Sequence, residues 1–307
     1  MIFPRTYLAL DLRQQELRAV SLTGKRKHPV LEGAQLLALK AGLLQPSPRT
    51  TNISDPDLLK SAIQEVLDPI AAGEERLALI LPETVGRLFT VEVETPFASK
   101  SEGEKIIKWQ LKGNLPADPE ATVLDFQVLD QREDGRKRLL VAAVARNVLD
   151  EYESVIAAAG YFPALVGFHS IFLHNYYRTR LEQPDESVLL ILESGFLSFE
   201  YSQGRVPLYH RFRMVGDDSS VIFQEISRAL VGAQEDYPGL KRAEVFLQTD
   251  LSETDEVIDI LRAAFKCEVV LLDPHIDRIA SQPSDWPKWR LRGLTAAVGA
   301  AEQMIRT

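Results

Sequence analysis

Leu8–Asp11 (LALD) and Leu190–Glu193 (LILE) decide the fold, because each is an apolar strand that ends on an acidic residue and turns into a second strand. The partner strands follow at 17–22 (LRAVSL) and 197–201 (LSFEY). The same hairpin thus occurs once in each half of a chain of 307 residues. A repeat on this scale indicates a duplicated domain and not a short solenoid repeat. It predicts a two-lobed fold with a nucleotide cleft between the halves.

The composition is that of an ordinary globular protein, with 45% apolar and 26% charged residues. A net charge of −9 and a pI near 5.2 argue against a general nucleic-acid binder. The single cysteine, Cys267, excludes an internal disulfide, which suits a reducing compartment. No apolar run approaches the roughly 18 residues that cross a bilayer. A cytoplasmic location is therefore expected, with any membrane contact made through a partner.

The predicted elements repeat in the two halves and are interrupted once. Residues 6–40 read as three strands, and residues 187–214 read as three more. Between the strand at 77–81 and the strand at 163–168, a β-α-β-β-α unit is inserted. The expected domains are a first lobe at 1–87 that continues at 163–183 and in a C-terminal helix at 291–305, an inserted subdomain at 88–162, and a second lobe at 184–290.

This order of elements resembles the actin-like, sugar-kinase and Hsp70 superfamily. The segments Ser101–Gln110 (SEGEKIIKWQ), Asn114–Pro116 (NLP) and Val123–Leu129 (VLDFQVL) narrow the resemblance to the PilM family of type IV pilus assembly proteins. That family has a Glu-rich helix with Ile and Trp, an Ile/Leu-Pro turn and a Leu-Asp-Phe/Tyr-Gln strand. Gly293–Ala301 is similar to its closing helix. The resemblance implies an α/β fold, a duplicated actin-like (ribonuclease H-like) two-lobed fold with an inserted β-α-β-β-α subdomain.

The first turn matches an ATP site poorly. Actin-like proteins hold ATP in glycine-rich turns, where bare backbone N–H groups approach phosphates and an aspartate positions hydrated Mg²⁺. Asp11 occupies the expected strand-end position, but Leu12, Arg13 and Gln14 follow where the family usually has Gly and small hydroxyl residues. Arg13 could contact phosphate as a guanidinium. The alternative is a solvated turn that Asp11 caps.

The other two turns also lack residues that an ATP-binding turn usually has. Glu193 matches an acidic position and Gly195 is retained in a hairpin turn, where one glycine is also ordinary turn chemistry. Gly216 is retained before the next helix, but Asp217 stands where a second glycine is expected. The third turn, 248–250, reads Gln-Thr-Asp and has no glycine. The three turns predict that ATP binding is weak or lost.

No catalytic residue, metal site or cofactor is therefore expected, although ATP with Mg²⁺ stays possible. Asp11 would then reach Mg²⁺ through water. The sequence has no P-loop, H-E-x-x-H or G-x-S-x-G motif, and His169 and His174 are assigned to packing or to the surface. If nucleotide binding is retained, its candidate residues are Asp11, Arg13, Glu193, Gly195 and Gly216.

The resemblance also implies a partner, because PilM-like proteins bind the N-terminal cytoplasmic peptide of the inner-membrane protein PilN in a groove beside the insertion. The expected function is a cytoplasmic actin-like scaffold of a type IV pilus or type II secretion platform, peripheral to the inner membrane through its partners. The alternative is a functional ATP-binding ATPase of the same family, and a sugar-kinase relative is the less favoured second alternative. Candidate groove residues, which are alternatively the core of the insertion, are Ile107, Trp109, Leu111, Leu115, Phe126 and Val128.

Overall fold

The computed structural model describes residues 5–25, 27–193, 195–216 and 218–306. These form two compact units, Met1–Phe172 with Ala296–Thr307, and Leu173–Thr295. Arg26, Ser194 and Asp217, which the sequence places in turns, lie outside the described residues.

The first unit contains a five-stranded sheet and a separate three-stranded sheet. The larger sheet has the order β3-β2-β1-β4-β8, with β1 and β2 antiparallel and β1, β4 and β8 parallel. The smaller sheet has the order β5-β7-β6 and is antiparallel throughout. In chain order the elements are β1 (Tyr7–Leu12), β2 (Glu16–Lys25), β3 (His28–Ala38), α1 (Pro56–Leu67), β4 (Arg76–Leu81), β5 (Gly86–Val93), α2 (Lys100–Gln110), β6 (Thr122–Gln131), β7 (Lys137–Ala145), α3 (Arg146–Ala158), β8 (Phe162–Phe168) and α4 (His169–Leu181).

The central strands of the larger sheet are apolar because both of their faces are covered. All of β4 after Arg76 is buried, and so is all of β1 after Tyr7. Strands buried on both faces read as continuous apolar runs and not as an alternating pattern. The acidic residue that interrupts the run in β1, Asp11, therefore stands out within the strand.

The three-stranded sheet has its own small core, into which α2 packs Ile107. The predicted insertion at 88–162 also included α3, but the structure packs α3 elsewhere. Val148, Tyr152 and Ile156 of α3 belong to the core of the larger sheet, where the helix contacts α1. The reason is that the apolar stripe of α3 faces the stripe of α1, so the insertion with its own core ends at β7.

The second unit repeats the strand order of the first. Its sheet has the order β11-β10-β9-β12-β13, with β9 antiparallel to β10 and parallel to β12. This repetition confirms the duplicated actin-like, ribonuclease H-like fold. The remaining elements are β9 (Glu186–Glu193), β10 (Phe196–Gln203), β11 (Val206–Met214), α5 (Ser219–Gln234), β12 (Glu244–Thr249), α6 (Asp255–Phe265), β13 (Val269–Leu271), α7 (Lys288–Arg292) and α8 (Thr295–Arg306).

Two boundaries differ from the sequence-based ones. The border between the units falls inside α4, after Phe172, and not between 183 and 184, where the sequence-based lobes divide. The single C-terminal helix predicted at 291–305 is divided into α7 and α8. Among the described residues, no helix combines the length and the apolar character that crossing a bilayer requires.

Candidate functional site

The turn after β1 is closed by an ion pair within the chain. Arg13 Nε donates to Asp11 Oδ2 at 2.8 Å, and the Arg13 backbone N donates to Glu16 O at 2.9 Å. Asp11 is 1% exposed and Arg13 is 4% exposed. Arg13 is therefore not a solvated turn residue, and its guanidinium is engaged with the carboxylate of the strand end.

His169 belongs to the same cluster, although the sequence assigned it to packing or to the surface. Its Nδ1 lies 3.3 Å from Asp11 Oδ2, and Arg13 Nη2 lies 3.1 Å from its Nε2. His169 is the first residue of α4 and directly follows β8. The carboxyl ends of the parallel strands β1, β4 and β8 meet at one edge of the sheet, which brings His169 to Asp11. Its position at a strand end was the one sequence signal that could have indicated this.

The charges of the cluster decide the ionisation of Asp11. Burial alone would raise the pKa of this carboxyl, but the charges of Arg13 and His169 outweigh burial and lower the pKa to about 2. Among the described residues, Asp11 Oδ1 has no hydrogen-bond partner. A hydrated Mg²⁺ needs room for several waters beside the carboxylate. The buried carboxylate, already paired with an arginine, does not fit that ion.

The strand end of β9 is held by a second buried network. Gln248 Nε2 donates to Glu193 Oε1 at 2.8 Å and to the backbone O of Arg292 at 2.9 Å. Tyr177 Oη donates to Gln248 Oε1 at 2.7 Å. Arg292 Nε donates in turn to the backbone O of Thr249 at 2.8 Å. From the sequence, Gln248 and Thr249 were notable only because they replace glycines of an ATP site. The sequence did not predict that the Gln248 side chain and the Thr249 backbone O form hydrogen bonds within the second unit.

Gly195 and Gly216 are required by the turns in which they lie. Their φ angles are +77° and +62°, a region that residues with a Cβ rarely adopt. Gly195 O accepts from Val215 N at 2.8 Å and from Gly216 N at 3.0 Å, so the two glycines close on each other. The N-terminus of α5 is capped by Asp218, whose Oδ1 accepts from Ser220 N at 2.8 Å. This carboxylate satisfies the helix N-terminus, which would otherwise favour an anion.

Most of the candidate groove residues build the core of the insertion. Ile107, Leu111 and Leu115 are buried in that core. Phe126 is half-buried and packs edge-to-face on Phe97, with 5.6 Å between ring centroids. These four side chains fix the position of α2 against β6 and present little surface to a partner.

The other two candidates are exposed. Trp109 on α2 is 80% exposed, and Val128 on β6 is 43% exposed. Val128 lies on an edge strand, because β6 pairs only with β7 among the strands that the structure describes. Within the same described residues, no group of three or more His, Cys, Asp or Glu side chains is arranged to hold a metal ion.

No protein-family model matches the chain, and no curated protein matches its sequence. Solved structures do match in fold. The PilM-PilN type IV pilus biogenesis complex contains a chain that is 18% identical with a TM-score of 0.76, covering 97% of this chain and 98% of that one. The cytoplasmic domain of EpsL, an inner-membrane component of the type II secretion system of Vibrio cholerae, is 12% identical with a TM-score of 0.50, covering 96% and 95%.

A Bacteroides thetaiotaomicron protein with an actin-like ATPase fold and unknown function is 11% identical, with a TM-score of 0.54 and coverage of 88% and 92%. The chain therefore has a PilM-like, actin-like fold, as the segments at 101–129 predicted. At these low sequence identities, the similarity to the solved structures establishes the fold alone.

Proposed function

We propose that this chain is a cytoplasmic actin-like scaffold of a type IV pilus or type II secretion inner-membrane platform, and that it binds the N-terminal cytoplasmic peptide of a PilN-like membrane protein. One observation carries the proposal. The fold agrees with the matching chain of the PilM-PilN complex over nearly the whole of both chains, insertion included.

The two strand ends support a scaffold without a nucleotide. Arg13 is paired with Asp11 in the first unit, and Gln248 is bonded to Glu193 in the second. Each acidic side chain that resembles a nucleotide-site residue is thus buried and bonded within its own unit. Function then depends on surfaces that a partner can reach.

The peptide would add to the open edge of β6. An edge strand presents unpaired backbone N–H and C=O groups, and an extended peptide can pair with them while its side chains select the register. Val128 is the exposed apolar side chain on this strand, beside the half-buried Phe126. Ile107, Leu111 and Leu115 would hold the strand and α2 in place without touching the peptide.

Calorimetric titration of the full chain with the N-terminal cytoplasmic peptide of a PilN-like membrane protein tests the partner. We expect saturable binding. Val128→Glu should weaken it about tenfold or more, because a charge then faces the apolar contact, and a tenfold loss corresponds to about 1.4 kcal/mol. Val231→Glu, at a 73% exposed position on α5, is the matched control and should bind like the parent chain. The absence of any heat at high micromolar peptide would refute the assignment.

A thermal-shift titration with ATP and Mg²⁺ separates the scaffold from the alternative, a functional ATPase. We expect no saturable shift. A bound nucleotide at 100 times its Kd would stabilise the fold by about 2.7 kcal/mol, which is readily seen. Saturable stabilisation that Asp11→Ala abolishes would establish nucleotide binding and contradict the scaffold without a nucleotide.

A further inference from the structure

We propose that the chain also contacts anionic phospholipid directly, through the exposed face of α2 formed by Lys105, Trp109 and Lys112, named here the Trp109 face. Lys112 lies just after the helix, in the turn that ends it. The proposal rests on this surface alone and does not require the PilN-like peptide.

The backbone places the three residues close together. Lys105 and Trp109 are four apart and lie on one side of α2. Lys112 follows in the turn, where its backbone N lies 3.4 Å from Trp109 O. Trp109 is 80% exposed, and both lysines are exposed. Ile107 and Leu111 on the opposite side are buried in the core of the insertion and hold the helix. The core therefore does not need the indole of Trp109, which is available to a partner.

The lysines beside Trp109 are not neutralised by the chain. The nearby acidic groups already have partners, and among the residues that the structure describes neither Lys105 nor Lys112 has an ion pair. Glu104 is 2.9 Å from Lys108 and Asp125 is 2.6 Å from Lys100, so each of these two carboxylates is paired with a lysine. Glu102 accepts from Ala98 N at 2.8 Å and keeps its negative charge. Two lysines against this one carboxylate leave the face with a small positive charge on a chain of net charge −9.

An anionic bilayer surface is the partner whose chemistry fits this face. The ring of tryptophan is apolar and carries an N–H donor, and tryptophan is enriched at the level of lipid headgroups. Lysine stems extend toward headgroups and keep their charge in water. The negative charge of the rest of the chain opposes general attraction to such a surface, so contact would be oriented through this face.

The affinity of the face alone should be low. Each lysine near an anionic surface contributes about fivefold in binding, which corresponds to about 1 kcal/mol. Two lysines and one indole give weak, reversible attachment. A membrane-embedded partner that raises the local concentration of the chain at the bilayer would strengthen this attachment further.

Vesicle co-sedimentation of the full chain tests the proposal, with phosphatidylcholine vesicles that contain or lack phosphatidylglycerol. We expect binding only to the vesicles that contain phosphatidylglycerol, and added salt should weaken it. Lys105→Gln or Lys112→Gln should each lower the binding constant about fivefold, and Trp109→Ala should lower it by a similar factor. Val231→Ala and Lys241→Gln are matched controls with exposed side chains on other elements, and they should bind like the parent chain.

Tryptophan fluorescence gives a second readout, since the chain has three tryptophans and Trp109 is the exposed one. Phosphatidylglycerol should shift the emission to the blue, and Trp109→Phe should remove the shift. Equal binding to both kinds of vesicle, or binding that the three substitutions leave unchanged, would overturn the proposal. So would a Trp109→Ala chain that loses peptide binding while the parent chain shows no vesicle binding, because the face would then serve a protein partner.

Discussion

Replacing Arg13 with glutamine removes the guanidinium that closes the first strand end. The substitution deletes a bond of 2.8 Å to Asp11, and burial of both residues prevents water from replacing that bond. Removing one partner of a buried ion pair costs about 3–5 kcal/mol, because the remaining charge stays buried. His169 stays 3.3 Å from Asp11 Oδ2 and offsets part of the loss. We therefore expect a loss of about 3 kcal/mol in the free energy of unfolding.

Urea unfolding followed by hydrogen exchange measures this loss. The two units could unfold in separate steps, so a single midpoint is not sufficient, and the amides of β1 and β4 report on the first unit. Arg13→Gln and Asp11→Asn should each destabilise that unit, while the double variant should lose less than their sum by about 0.5–3 kcal/mol. Arg136→Gln removes an exposed ion pair with Asp134 in the same unit and should leave its exchange unchanged.

The acid limb of the stability curve gives an independent check. The pKa of Asp11 is lowered from 3.8 to about 2, because the charges of Arg13 and His169 outweigh burial. Its stabilisation is present above pH 3.8 and is lost as the pH falls through about 2, an effect of roughly 2 kcal/mol that Asp11→Asn should abolish. If Arg13→Gln costs less than about 0.5 kcal/mol, or if the two substitutions are additive, the turn is solvated and the buried pair does not stabilise it.

Three further predictions concern other contacts. Gln248→Ala removes the donor to buried Glu193 and should cost about 2–3 kcal/mol in urea unfolding of the second unit; a loss near zero would contradict the network. His174 lies 2.6 Å from Glu200, which raises the pKa of His174 despite the opposing effect of burial, while the pKa of Glu200 is lowered. The pair therefore stabilises fully from about pH 4.5 to 6.5 and less above that range, and His174→Gln should flatten the loss on the alkaline side. Asp55→Ala removes the cap that accepts from Leu58 N at 3.0 Å and should cost about 1 kcal/mol by calorimetry, with no effect if α1 is capped otherwise.

The duplicated fold could be predicted from the sequence because both of its signals are local. A strand buried on both faces reads as an apolar run, and an acidic residue at its end is visible in the chain. The packing of α3 could not be predicted in the same way. Its apolar stripe shows that one face is buried, but it does not indicate which of two sheets covers that face, and the structure gives α3 to the sheet that carries α1.

The candidate site likewise combines residues that the sequence alone could indicate with residues that only the fold brings together. Arg13 stands two residues after Asp11, so its presence in the turn is visible in the sequence. His169 and Gln248 reach their partners over 156 and 55 positions, and only strand register brings them there. The parallel pairing of β12 with β9 sets Thr249 opposite Leu192, which brings Gln248 near the strand end that carries Glu193. An acidic residue at a strand end of this fold therefore does not by itself indicate a ligand site, because its availability to a ligand depends on the side chains that the neighbouring parallel strands and the following helix bring to the same edge.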